Sequence, residues 1–89
     1  MKAIVTVVGK DQVGIIAGVC NTLAACEINV LDISQTILQD YFTMIMLVDA
    51  AHTDLPFAEL VTALESAGRE RDLVIHAQRE DIFNAMHRI

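Results

Sequence analysis

Val8-Gly9-Lys10-Asp11-Gln12-Val13-Gly14-Ile15-Ile16 is the stretch on which the fold turns. An apolar run, Ala3 to Val8, stops at Gly9, and the polar trio Lys10, Asp11 and Gln12 follows as a loop. From about Val13 the apolar residues recur with a period of 3.6, the mark of a helix packed on one side. Asp11 is a natural N-cap for that helix, its carboxylate accepting from an amide two or three residues on. Gly14 has no side chain, so a ligand or a second backbone can approach the unpaired amides of the first turn, where the helix dipole is positive. A capped helix whose glycine merely permits close packing explains the same residues.

Outward from this junction the chain reads as alternating elements. Lys2 to Val8 predicts a strand and Val13 to Ala25 a helix, with Ile16, Val19, Cys20 and Leu23 as its apolar stripe. Ile28 to Leu38 and Tyr41 to Asp49 predict two strands joined by a tight turn at Gln39 and Asp40. Their alternation slips between Val30 and Ile33, which predicts a bulge. After a loop over Ala50 to Leu55, Pro56 opens a helix to about Ala67, with Leu60, Val61 and Leu64 buried and Gly68 as its stop. Leu73 to Gln78 predicts a last strand, and Asp81 to Arg88 a short terminal helix. The order βαββαβ implies an α+β, ferredoxin-like fold: a four-stranded antiparallel sheet with two helices on one face and a C-terminal helix over about residues 80–88.

Composition narrows what such a fold can do. The 89 residues make a single domain, residues 1–89, and so short a chain buries only about 60–65% of its unfolded surface. Yet 54% of the residues are hydrophobic and the mean hydropathy is +0.47. The strands repeat the point, because Met44, Met46 and Val48 alternate with Ile45 and Leu47, and Ile4 and Val8 with Val5 and Val7. Both faces of the central strands therefore expect cover, from the terminal helix or from another subunit. No apolar run approaches the roughly 20 residues of a membrane span, and Lys2 to Val8 lacks a signal-peptide cleavage site, so a cytoplasmic protein with no membrane partner is expected. Six basic against twelve acidic residues give a net charge of −6, which disfavours nucleic acid. With Tyr41, Phe42, Phe57 and Phe83 the only aromatics, stacking platforms are scarce.

Other chemistry is weaker. Cys20 and Cys26 point about 120° apart on a helix, a poor metal or redox pair, and read as buried thiols. His52, His76 and His87 are scattered and read as surface residues. The run Glu65, Arg69, Glu70, Arg71 and Asp72 reads as a solvated charged face. Ferredoxin-like scaffolds include acylphosphatases, but those need an arginine in the first turn, where this chain has Lys10. No catalytic residue, metal or cofactor is expected, and the chain is read as not an enzyme.

The run Gly9 to Ile16, followed by Ile28-Asn29-Val30-Leu31-Asp32-Ile33 and then Phe42-Thr43-Met44, resembles the ACT domain, a small regulatory module that binds amino acids. The likeness covers essentially the whole chain and is nearest to stand-alone ACT proteins and to the ACT segments of the glycine-cleavage repressor and formyltetrahydrofolate deformylase. It implies a homodimer in which sheets or sheet edges meet, with a small-molecule ligand near the interface between the first turn and the second strand. It also implies a partner enzyme or regulator that receives the signal. Asp11, Gly14 and Ile15 match the turn motif, and Asn29 and Asp32 match the polar positions opening the second strand. A zwitterion suits that set: amides for its carboxylate, and Asp11, Asn29 or Asp32 for its ammonium. Asn29 in a left-handed turn and Asp32 satisfying amides at the bulge are the structural alternatives. Ser34, Gln35 and Thr36 depart from the pattern as a polar patch, and Gln35 fits a strand edge. A dimerisation module without a ligand remains the other functional reading.

Overall fold

A computed structural model describes residues 1–10 and 12–81 of the chain. It contains β1 (Lys2–Lys10), α1 (Ile15–Ala25), β2 (Asn29–Leu38), β3 (Tyr41–Asp49), α2 (Phe57–Glu70) and β4 (Leu73–Arg79), the βαββαβ order of a ferredoxin-like fold. The antiparallel sheet has the strand order β2-β3-β1-β4. Of the expected terminal helix, only residues 80 and 81 fall among those described, and both are helical.

Alternation decides which face of the sheet is sealed. Ala3, Val5 and Val7 of β1, Met44, Met46 and Val48 of β3, and Ile75 and Ala77 of β4 form one buried face. The helices lie on it through Ile15, Val19 and Leu23 of α1 and Leu60 and Leu64 of α2. Leu23, Met44, Met46, Leu60 and Leu64 are the largest fully buried side chains, each worth about 1.5–3 kcal/mol of burial. The stripe of α1 is thus rotated from the expected one: Ile15 is inside and Ile16 is 36% exposed. Both residues fit a 3.6 period, and the position of the sheet chooses between them.

The expected bulge lies in β2. Val30 pairs with Val48 and Asp32 with Leu47, so Leu31 is the extra residue. Were Leu31 paired with Leu47 and the strand unbulged, Asp32 would face Met46 in the buried layer; with the bulge, Ile33 takes that place and Asp32 turns to the other face. The hairpin turn falls at Gln39 and Asp40, with Gln39 at φ 56.

Helix ends differ from the reading in instructive ways. α1 stops in a Schellman motif: the Ile28 N–H donates to the Leu23 carbonyl at 3.0 Å and the Glu27 N–H to that of Ala24 at 3.0 Å. Glu27, at φ 60, takes the left-handed position, while Asn29 already belongs to β2. Gly68 does not stop α2, which runs on to Glu70 and ends where Asp72 turns left-handed at φ 57. Gly68 instead lets the helix meet β4, because a Cβ there would lie 2.7 Å from the Leu73 carbonyl oxygen. Pro56 is the N-cap of α2 and not its first helical residue.

The second face of the sheet carries Ile4, Val8, Ile45, Leu47 and Val74 among threonines, and it is open among the described residues: Ile45 is 45% and Val74 70% exposed. Cys20 and Cys26 are free and half-buried against the core, and His52 and His76 are exposed. His87 lies outside the described residues. No helix among those described is long and apolar enough to cross a membrane.

Gly68→Ala should lower stability by about 1–3 kcal/mol in urea unfolding, because a clash with backbone outweighs the helix propensity gained. An unchanged or higher midpoint would show that α2 does not approach β4 this closely.

Candidate functional site

The β1–α1 turn is held from two sides. α1 begins at Ile15, and its N-cap is Gly14, at φ 84 and ψ 11, which offers no side-chain cap. The capping role expected of Asp11 therefore falls to a glycine; Asp11 itself lies outside the described residues. Gly14 puts no side chain over the amides of the first turn, and these have no acceptor within the helix, which makes them a donor surface for an anion. Ile15 contributes its backbone, since its side chain is in the core. Val13 beside it is 99% exposed.

Arg71, at the C-cap of α2, is the residue the sequence did not single out. Gln12 Nε2 donates to the Arg71 carbonyl oxygen at 2.8 Å, and Arg71 Nη1 donates to the Gly14 carbonyl oxygen at 3.5 Å. The guanidinium lies over Gly18, where a Cβ would sit 2.7 Å from Cζ and 2.9 Å from Nε. Gly14 and Gly18, one helical turn apart, leave a groove along α1 that seats it. That spacing was the visible signal, but its occupant comes from 53 positions beyond Gly18.

Asn29 and Asp32 are exposed and lie elsewhere. Asn29 is level with Asp49 and Lys2, and Asp32 with Leu47 and Ile4, whereas the turn follows Lys10. At about 3.3 Å per residue, Asn29 and Asp32 stand ~26 Å and ~20 Å from the turn along the strands of one chain. A βαβ crossover predicts this separation, because it returns the chain to the end where its first strand began. Asp32 Oδ1 accepts the Ile33 N–H at 2.9 Å, next to the bulge. Among the described residues no group of three or more His, Cys, Asp or Glu could hold a metal.

The family profile of the ACT domain matches residues 2–78. The chain belongs to the ACT domain family. A UPF0237 protein of Listeria innocua is 52% identical over 89 residues, covering all of both chains, and one of Methanocaldococcus jannaschii is 48% identical over 99% of this chain and 98% of its own. Among solved structures, an ACT domain protein from Streptococcus pneumoniae superposes with a TM-score of 0.84 at 44% identity, covering 98% of each chain. A formyltetrahydrofolate deformylase from Pseudomonas putida shares the fold, with a TM-score of 0.80 at 12% identity over 91% of this chain and 30% of that one. In this ACT domain the turn motif is therefore a glycine-capped helix start clamped by Gln12 and Arg71.

Because Gly14 is left-handed, Gly14→Ala should cost about 1–2 kcal/mol by chemical denaturation. Its new Cβ would meet Arg71 Nη1 at an ordinary 3.8 Å, so backbone strain alone carries the effect. A neutral outcome would mean that the helix start relaxes to a right-handed backbone.

Proposed function

We propose that this protein is a regulatory amino-acid-binding ACT module that acts as a homodimer. The observation that carries the reading is the register of β2, an edge strand with Leu31, Ile33, Ile37 and Leu38 exposed. A two-fold axis through its middle pairs Asn29 with Leu38 of a second copy. Since Leu38 is level with Tyr41 and Lys10, Asn29 of one chain comes level with the start of the other chain's turn. The dyad thus brings to one end of the joined sheet the two groups that a single chain holds ~20–26 Å apart. The first-turn amides at Gly14 and Ile15 take the carboxylate of an amino acid, and Asp11, with Asn29 and Asp32 of the second copy, takes its ammonium.

Family membership supports a regulatory ligand-binding role over catalysis, and the chain's own output passes through a partner enzyme or regulator. The free thiols of Cys20 and Cys26 suit the reducing cytoplasm.

Light scattering at micromolar concentration should give at least twice the chain mass of 9.8 kDa. A reading near one chain mass would remove the dimer and the composite site with it. Separately, a thermal-shift panel of the twenty amino acids should contain a stabilising ligand, worth about 2.7 kcal/mol at a hundred times its dissociation constant. A dimer that no amino acid stabilises would favour a purely interacting module.

A further inference from the structure

A cleft of about 200 Å³ opens between α1 and α2, within one chain and away from the β2 edge. Its deep side is formed by Val19 and Ile75, both buried, and its rim by the exposed Asn21, Glu70 and Arg71. Room for six or seven waters, at about 30 Å³ each, is the size of a small metabolite. Glu70 and Arg71 are of opposite sign and border the same space, yet among the described residues neither forms an ion pair; the recorded pairs join the Met1 amino group to Asp49 and Arg79 to Asp81.

Glu70 sits at an unfavourable helix end, while Arg71 follows it at the C-cap, where a cation is favoured. Glu70 is the last residue of α2, where the dipole is negative, and the Arg71 guanidinium lies against Gly14 and Gly18 at the positive start of α1. A cation in the cleft would relieve Glu70, and the guanidinium keeps donors beyond the one given to the Gly14 carbonyl. A carboxylate presented to Arg71 meets a planar fork of donors, and an ammonium presented to Glu70 meets an acceptor.

We propose that this inter-helix cleft binds a small zwitterion, its carboxylate on Arg71, its ammonium on Glu70 and its apolar part over Val19 and Ala67. The site is complete in a single chain, so it stands independently of the dimer and of the composite site at the turn. Gly18 is what makes it possible, because any larger residue takes the place where the guanidinium rests.

The test is a titration of ¹⁵N-labelled protein, followed by amide shifts, with glycine, serine, leucine, acetate and methylammonium as probes. Amino acids should move amides clustered at residues 18–22 and 67–71 and bind more tightly than acetate or methylammonium. Glu70→Gln should weaken amino acids about tenfold or more, the loss of one charge-assisted hydrogen bond, and leave acetate binding as it was. Arg71→Gln should abolish both. Gly18→Ala should reproduce the Arg71→Gln defect in a protein that unfolds at an equal or higher temperature, because the displaced atoms are the flexible end of Arg71 and the helix gains propensity. Shifts confined to residues 12–16 and 29–32 would assign binding to the dimer site and overturn the cleft. So would the absence of any shift, or a Glu70→Gln variant that binds amino acids as the parent does.

Discussion

β1 lies between β3 and β4, and its Ala3, Val5 and Val7 are sealed beneath α1 and α2. Two helices cover one face of a four-stranded sheet, and that cover runs out in two places. It runs out on the opposite face, where Ile4, Val8, Ile45 and Val74 remain apolar without being buried. It also runs out at β2, whose Ile33 and Ile37 lie opposite Met46 and Phe42 in the core register yet stay exposed at the sheet edge. Both features have a common origin among the described residues: a small domain with more apolar surface than α1 and α2 hide.

The same geometry ties both sides of Gly14's turn to a distant part of the chain. Gln12 reaches the Arg71 carbonyl and Arg71 reaches the Gly14 carbonyl, two hydrogen bonds that run in opposite directions between segments 57 and 59 residues apart. The start of α1 is thereby tied to the junction of α2 and β4. Arg71 belongs to both the clamp and the inter-helix cleft.

How much of this could be read in advance follows from the range of the interactions. The hairpin at Gln39-Asp40 and the slip near Leu31 are local patterns written in adjacent residues and stand as expected, while β1 runs on past its expected end, through Gly9 to Lys10, because both keep partners in Phe42 and Tyr41 of β3. Gly68 and Gly14 were legible as glycines but not in their roles: one answers to the Leu73 carbonyl, the other to a backbone at φ 84 that makes it the cap in place of Asp11. Arg71 looked like one charge among several because its seat is on a distant helix. The resemblance joins Asn29 and Asp32 to the turn across a dimer interface, and within one chain the crossover sets them at the far end of the sheet from it.

Leu31 gives the edge strand a reading frame. The residues before it and the residues after it face their partners in different phase, and only the one extra position reconciles Val30 over Val48 with Ile33 over Met46. A chain that lost Leu31 itself would keep Asp32 over Leu47 and Ile33 over Met46 and lose only the bulge, whereas a strand straightened with every residue kept would carry Asp32, Ser34 and Thr36 inward and Ile33 and Ile37 outward. The phase of this strand is therefore set by which residue stays out of the ladder. That residue is Leu31, which makes no pair of its own.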